Sequence, residues 1–201
     1  MSAWLQSDGT LVTASSSNPL PVGGNILNNG TAVSSSNPLP VGGKSVQKSA
    51  SFTRPADTTA YAANDAVADS TSAPTLLSFA NCANANGGQG YIVKTRLLTN
   101  QKTCTARFRL SFYHTAPSAV NDNAPKPMLY ANKDKLIGRI DLDPCTTEDT
   151  SSDAAFVLST ALLPYVCAAA DTSIYCILTT LDAFTPASAQ QFYLEITCEL
   201  S

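Results

Sequence analysis

The sequence predicts an all-β protein, an antiparallel β-sandwich of jelly-roll type that carries an extended N-terminal arm. Three observations predict it. From about residue 51 onward, apolar and polar side chains alternate with a period of two in one run after another. Clusters of Pro, Gly, Asn and Asp separate those runs, and no long stretch shows a convincing helical period. The first fifty residues differ sharply from the rest, being Ser-, Asn-, Gly- and Pro-rich with one charged side chain, Asp8, before Lys44.

The arm, residues 1–50, contains an internal repeat. Ser15-Ser-Ser-Asn-Pro-Leu-Pro-Val-Gly-Gly24 recurs letter for letter as Ser34 to Gly43, offset by 19 residues. Pro19 and Pro21, like Pro38 and Pro40, fix φ near about −65° and push the preceding residue toward extended geometry. Helix is excluded on that ground, and a central strand is disfavoured because proline cannot donate to a ladder. Two copies are too few for a solenoid, which needs about three. The expectation is therefore an extended ribbon with Leu20, Val22, Leu39 and Val41 as small apolar anchors and Trp4-Leu5 at the tip. At about 3.3 Å per residue, equivalent anchors reach up to about 60 Å apart. A duplicated ligand implies a duplicated pocket, so the arm is read as lying across a symmetric surface rather than as a flexible linker.

Residues 51–201 are read as the sandwich. Leu76-Leu-Ser-Phe79 is a first candidate strand. Tyr91, Val93, Thr95 and Leu97 then alternate with Ile92, Lys94, Arg96 and Leu98. In Thr103 to Tyr113, one face gathers Cys104, Ala106, Phe108, Leu110 and Phe112. Leu136, Gly138, Ile140 and Leu142 alternate with Ile137, Arg139 and Asp141, and Ile174, Cys176 and Leu178 continue the theme. Phe192, Leu194, Ile196, Cys198 and Leu200 form the last buried face. The stretch from Ala154 to Ala170 is uncharged and reads as a buried strand-turn or a short helix; it is too short for a membrane span of about 20 residues. Turns are expected over 81–89, 99–102, 117–127 and 144–153.

Composition excludes several functions. The chain has 201 residues, 13% charged, with a net charge of −3, so it lacks the basic excess of a nucleic-acid binder. Its start has no basic segment followed by an apolar run, which reads as synthesis in the cytoplasm without a signal peptide. No membrane partner and no cofactor are expected.

Catalytic and metal sites find little support. Six cysteines show no CxxC spacing, and Cys104, Cys176 and Cys198 fall on the apolar parity of their strands, as buried reduced thiols would. A nucleophilic cysteine needs a base, and His114 is the only histidine. The acidic run Asp141, Asp143, Glu148, Asp149 and Asp153 lacks the spacing of a calcium loop and reads as a solvated loop. Gly87-Gly88-Gln89-Gly90 precedes a strand, not a helix, and reads as a turn. Tyr61, Tyr113, Tyr130, Tyr165 and Tyr175 are possible sugar platforms. The reading is of a protein that is not an enzyme.

Two segments resemble known proteins. Phe52-Thr-Arg-Pro-Ala-Asp-Thr-Thr-Ala-Tyr-Ala-Ala-Asn-Asp-Ala-Val-Ala-Asp-Ser70 resembles a segment widespread in structural proteins of tailed bacteriophages. The Asn-Pro-Leu-Pro-Val-Gly phrase of the arm is similar to segments of phage virion proteins. The subgroup that the chain looks most like is the capsid decoration, or cement, proteins. The resemblance implies a β-rich module on the outside of the phage head that clamps adjacent capsomers. It also implies two partners, the major capsid protein and further copies of the chain in a homotrimer. Trp4, Leu5, Pro19, Leu20, Pro21, Val22, Pro38, Leu39, Pro40 and Val41 would be the capsid-binding residues. The alternative is a tail or fibre-associated virion protein whose sandwich binds glycans.

Overall fold

The computed structural model describes residues 44–201 throughout; before them it describes only the backbone of four short strands. These are β1 (Ala3–Leu5) paired antiparallel with β2 (Leu11–Thr13), and β3 (Leu27–Asn28) paired antiparallel with β4 (Thr31–Ala32). Trp4 and Leu5 lie on β1, where the backbone alone is described. The anchors Pro19, Leu20, Pro21, Val22, Pro38, Leu39, Pro40 and Val41 lie outside the described residues.

Residues 43–201 form a compact unit of their own, all-β, with two antiparallel four-stranded sheets packed face to face. The first sheet has the order β10-β7-β12-β5, from Ala155–Val166, Gln89–Thr99, Gln191–Leu200 and Lys44–Thr53. The second has the order β6-β11-β8-β9, from Leu77–Phe79, Ile174–Thr180, Phe108–Tyr113 and Leu136–Leu142. β5 begins at Lys44, ahead of the compositional boundary at residue 50, and pairs with β12 from Gln191↔Thr53 to Leu200↔Lys44. Its Lys and Ser residues mask the inward series Val46, Ala50 and Phe52.

The core lies between the sheets. Phe192 and Phe52 of the first sheet stack at 5.5 Å, and Phe108 of the second meets Phe192 edge-on at 5.6 Å. Phe108, Leu110 and Phe112 point inward, as do Leu97, Leu194, Ile196, Ile174 and Leu178. Large-to-small changes at such positions typically cost about 2–5 kcal/mol.

Two elements differ from the sequence reading, and a third decides between its alternatives. Of the strand-turn and the short helix open for Ala154 to Ala170, the strand-turn is the one formed: β10, the longest strand of the sandwich, followed by a turn. Its Phe, Val, Thr and Tyr content suits a pleated ribbon, and Pro164 stands in an edge strand where a missing N–H is tolerated. Cys104 and Ala106 are buried but precede β8, so their parity reflects a packed loop. In β7 the alternation breaks at Val93, where register shifts in both neighbouring pairings mark a β-bulge; Ile92, Thr95 and Leu97 face inward across it. No helix among the described residues is long and apolar enough to cross a membrane.

Candidate interaction surface

The outward face of the first sheet follows from its register. Its rows are Phe156–Leu98–Tyr193–Ser51, Leu158–Arg96–Glu195–Ser49, Thr160–Lys94–Thr197–Gln47 and Pro164–Tyr91–Glu199–Ser45. The middle of this face is polar. Arg96 pairs with Glu195 at 2.8 Å and lies over the Tyr193 ring.

The β10 margin is different. No charged residue occurs from Ala155 to Val166, and Leu158, Leu162 and Val166 are 45%, 73% and 55% exposed. Tyr91, on the adjacent strand, is 41% exposed beside Pro164. An edge strand normally carries charges that prevent edge-to-edge pairing. This one has only Pro164 and the irregularity between Thr160 and Leu163, with Thr146 bridging to Phe156 at one end. A groove of about 400 Å³ continues the strip past Tyr91, Pro164 and Val166 to His114 and Ile137. Apolar side chains held outward on a fixed strand suit association with another protein surface.

The other candidate residues have structural partners. His114 places Nε2 2.5 Å from the Asp134 carbonyl, and its Nδ1 is 2.9 Å from the Thr115 hydroxyl. All six cysteines are buried with free thiols. Asp141 of the acidic run is bound by Arg109, and no group of three potential metal ligands occurs among the described residues. Of the five tyrosines, Tyr61, Tyr113 and Tyr165 are buried, and the Tyr175 hydroxyl donates to Asp171 at 2.8 Å; Tyr130 is the exposed one.

The segment from Phe52 to Ser70 is a structural clasp. Arg54 is buried, with its Nε donating to the Tyr61 hydroxyl at 2.7 Å and Nη2 to Asp122 at 3.0 Å. Tyr61 in turn donates to Asp122 at 2.5 Å, and the Ala68 N–H donates to the same carboxylate at 2.9 Å. Burial, followed by the bond to Asp122, pushes the Tyr61 hydroxyl above its ordinary pKa. Further along, Asn64 and Val67 donate backbone N–H bonds to Thr180 and Leu178, tying the segment to β11. Sequence reasoning missed this role for Arg54, because a lone arginine beside a proline gives no sign of its depth.

A scan of protein-family models and a search of curated proteins both find no match to this chain.

Proposed function

We propose that the protein is a structural component of a tailed-phage virion, a decoration protein that binds the outside of the head and clamps adjacent capsomers. The observation that carries this reading is the duplicated Ser-Ser-Ser-Asn-Pro-Leu-Pro-Val-Gly-Gly segment, two identical apolar ligands on one chain. Once the sandwich or one anchor docks, the second binds intramolecularly, and avidity exceeds either affinity by about 10²–10⁴. The uncharged, exposed margin of β10 supports the same reading, since apolar area without charge is removed from water at little desolvation cost. Association with further copies, as in a trimer, would use this margin. The glycan-binding alternative is weakened by the burial of Tyr61, Tyr113 and Tyr165, whose rings are closed to a sugar.

Co-sedimentation with purified heads tests the proposal. The full chain is expected to pellet in fixed stoichiometry with the heads. A variant lacking residues 1–43, which retains β5 to β12, is expected to stay folded by circular dichroism and to remain in the supernatant. Undiminished binding by the truncated protein would overturn the clamp.

A further inference from the structure

The outward face of the second sheet holds a cleft with an unbalanced charge. Arg109 and Ser111 alternate with the inward Phe108 and Leu110 on β8. Asp141 and Thr179 stand opposite Arg109, and Arg139 stands opposite Ser111. Lys126 arrives from the loop before β9, where its N–H donates to the Asn64 carbonyl at 3.1 Å. Its ammonium donates to Ser111 Oγ at 3.1 Å and lies 5.6 Å from the centre of the Tyr113 ring. Asn64, Arg109, Lys126, Met128, Arg139 and Thr179 together line a cavity of about 240 Å³.

Three cations share this cleft with one carboxylate. Asp141 spends both oxygens on Arg109, at 2.5 and 2.7 Å. Neither Lys126 nor Arg139 has a carboxylate within ion-pairing distance among the described residues. Lys126 is half-buried, and its pKa is lowered by that burial and then by the charges of Arg139 and Arg109. A partly desolvated ammonium facing like charges is an unfavourable arrangement until an anion enters. The chain as a whole is acidic, so the cleft is a local feature rather than part of a general positive surface.

We propose that this cleft is a binding site for a tetrahedral oxyanion, phosphate or sulfate in class, held chiefly by Lys126 and Arg139. Charge-assisted bonds from the two cations supply the affinity, and Asn64 lines the cavity as a further polar residue. Arg109 stays on Asp141, so that carboxylate is neutralised and does not repel the ligand. The anion is either free in solution or a phosphoryl group borne on a larger molecule such as a sugar phosphate.

Isothermal titration of the full chain at low ionic strength tests the site, with inorganic phosphate, glucose 6-phosphate and acetate as probes. One saturable phosphate site is expected. Arg139→Gln and Lys126→Met should each weaken it by about tenfold or more, the size of one charge-assisted bond. Lys102→Gln, an exposed change outside the cleft, should leave it unaltered. Tighter binding of glucose 6-phosphate than of phosphate identifies a sugar-borne group, and equal or weaker binding identifies the free ion. Absence of saturation, insensitivity to both cleft substitutions, or acetate binding as tightly as phosphate would overturn the proposal. Arg139 is exposed, so its substitution tests the site even if the Lys126 variant folds poorly.

Discussion

Arg54 and Asp122 meet at 3.0 Å in the interior, with their side chains 0% and 1% exposed. The pair is 68 residues apart in sequence and is completed by Tyr61, which accepts from the arginine and donates to the aspartate. Arg54 Nη1 also donates to the Asp57 carbonyl at 2.9 Å. The three side chains thus fasten the Phe52–Ser70 clasp to the loop that supplies Asp122. Removing Arg54 leaves Asp122 buried with no cation, and removing Asp122 leaves the buried Arg54 with only the partly exposed Asp57 carboxylate at 3.4 Å; breaking a buried pair in this way costs about 3–5 kcal/mol. Asp122→Ala and Arg54→Met are each expected to lower stability by that amount in urea unfolding followed by circular dichroism. A loss under about 1 kcal/mol would show that the clasp is held by its apolar contacts and its backbone bonds to β11 instead.

Two glycines separate a backbone constraint from a side-chain one. A Cβ at Gly90 would press on the Glu199 carbonyl, which belongs to the sheet backbone, and stand 2.6 Å from the Tyr165 hydroxyl. Neither neighbour can retreat easily, because Tyr165 itself donates to the Cys82 carbonyl. At Gly138 the obstacle is Leu163 Cδ1, 2.7 Å away at the end of a flexible side chain. Gly90→Ala should therefore cost about 1–3 kcal/mol, the usual range for overpacking, and Gly138→Ala distinctly less. Thermal unfolding of both variants checks the order, and equal melting temperatures would contradict it.

Acid should weaken the fold through specific carboxylates. Asp182 receives bonds from Arg107 Nη2 at 2.7 Å, Nε at 3.1 Å and the backbone N–H at 2.9 Å. These hold its carboxyl down to about 2, from an ordinary value near 3.8. Asp141 is likewise lowered, first by its bonds from Arg109. A carboxylate with a depressed folded pKa contributes stability that is full above its unfolded value and is lost as pH falls through its folded one. The window here runs from about pH 4 down to about pH 2. In Arg107→Gln, which keeps the backbone N–H, an NMR titration should find the Asp182 midpoint raised toward the ordinary carboxylate range. A midpoint that stayed near 2 would assign the shift to the Arg107 backbone N–H instead.

How far the sequence revealed this depends on the element. β12 was readable residue by residue, because Phe192, Leu194, Ile196, Cys198 and Leu200 alternate without interruption. Glu195 is the exception on its outward side: it is buried, and its pairing with Arg96 lies 99 residues away in sequence. β7 was legible as a strand but not in its facing, since the bulge at Val93 reverses parity partway along. β10 was obscured for a different reason. Its outward residues are apolar apart from Thr160, and Ser159 falls on the inward side, so the alternation that marks a half-buried strand disappears. The oxyanion cleft was not legible, because Lys126 lies in a loop and meets Arg109 and Arg139 through long-range backbone contacts, the pairing of Pro125 with Asp65 and the bonds of Ala124 and Lys126 to Ala66 and Asn64 among them. The proposed anchors of the arm were legible only as a repeat, on residues outside those the structure describes.

The masking of β10 also provides a way to separate folding from association. Leu162 is 73% exposed and Val166 55%, so their side chains contribute little to the core. Replacing such surface positions by polar residues usually changes stability by no more than about 0.5 kcal/mol. If the margin serves a partner, the same changes remove apolar area where water would be excluded, at about 25 cal/mol per Å². A Leu158→Ser, Leu162→Ser, Val166→Ser variant is therefore expected to unfold at nearly the same urea concentration as the unaltered protein. It should self-associate more weakly in sedimentation velocity and bind heads less tightly. Leu97→Ala, on the inward side of the same sheet, should show the converse, a stability loss of about 2–5 kcal/mol. Unchanged association in the triple-serine variant would leave the β10 margin without a role in assembly and put the whole of the binding on the arm.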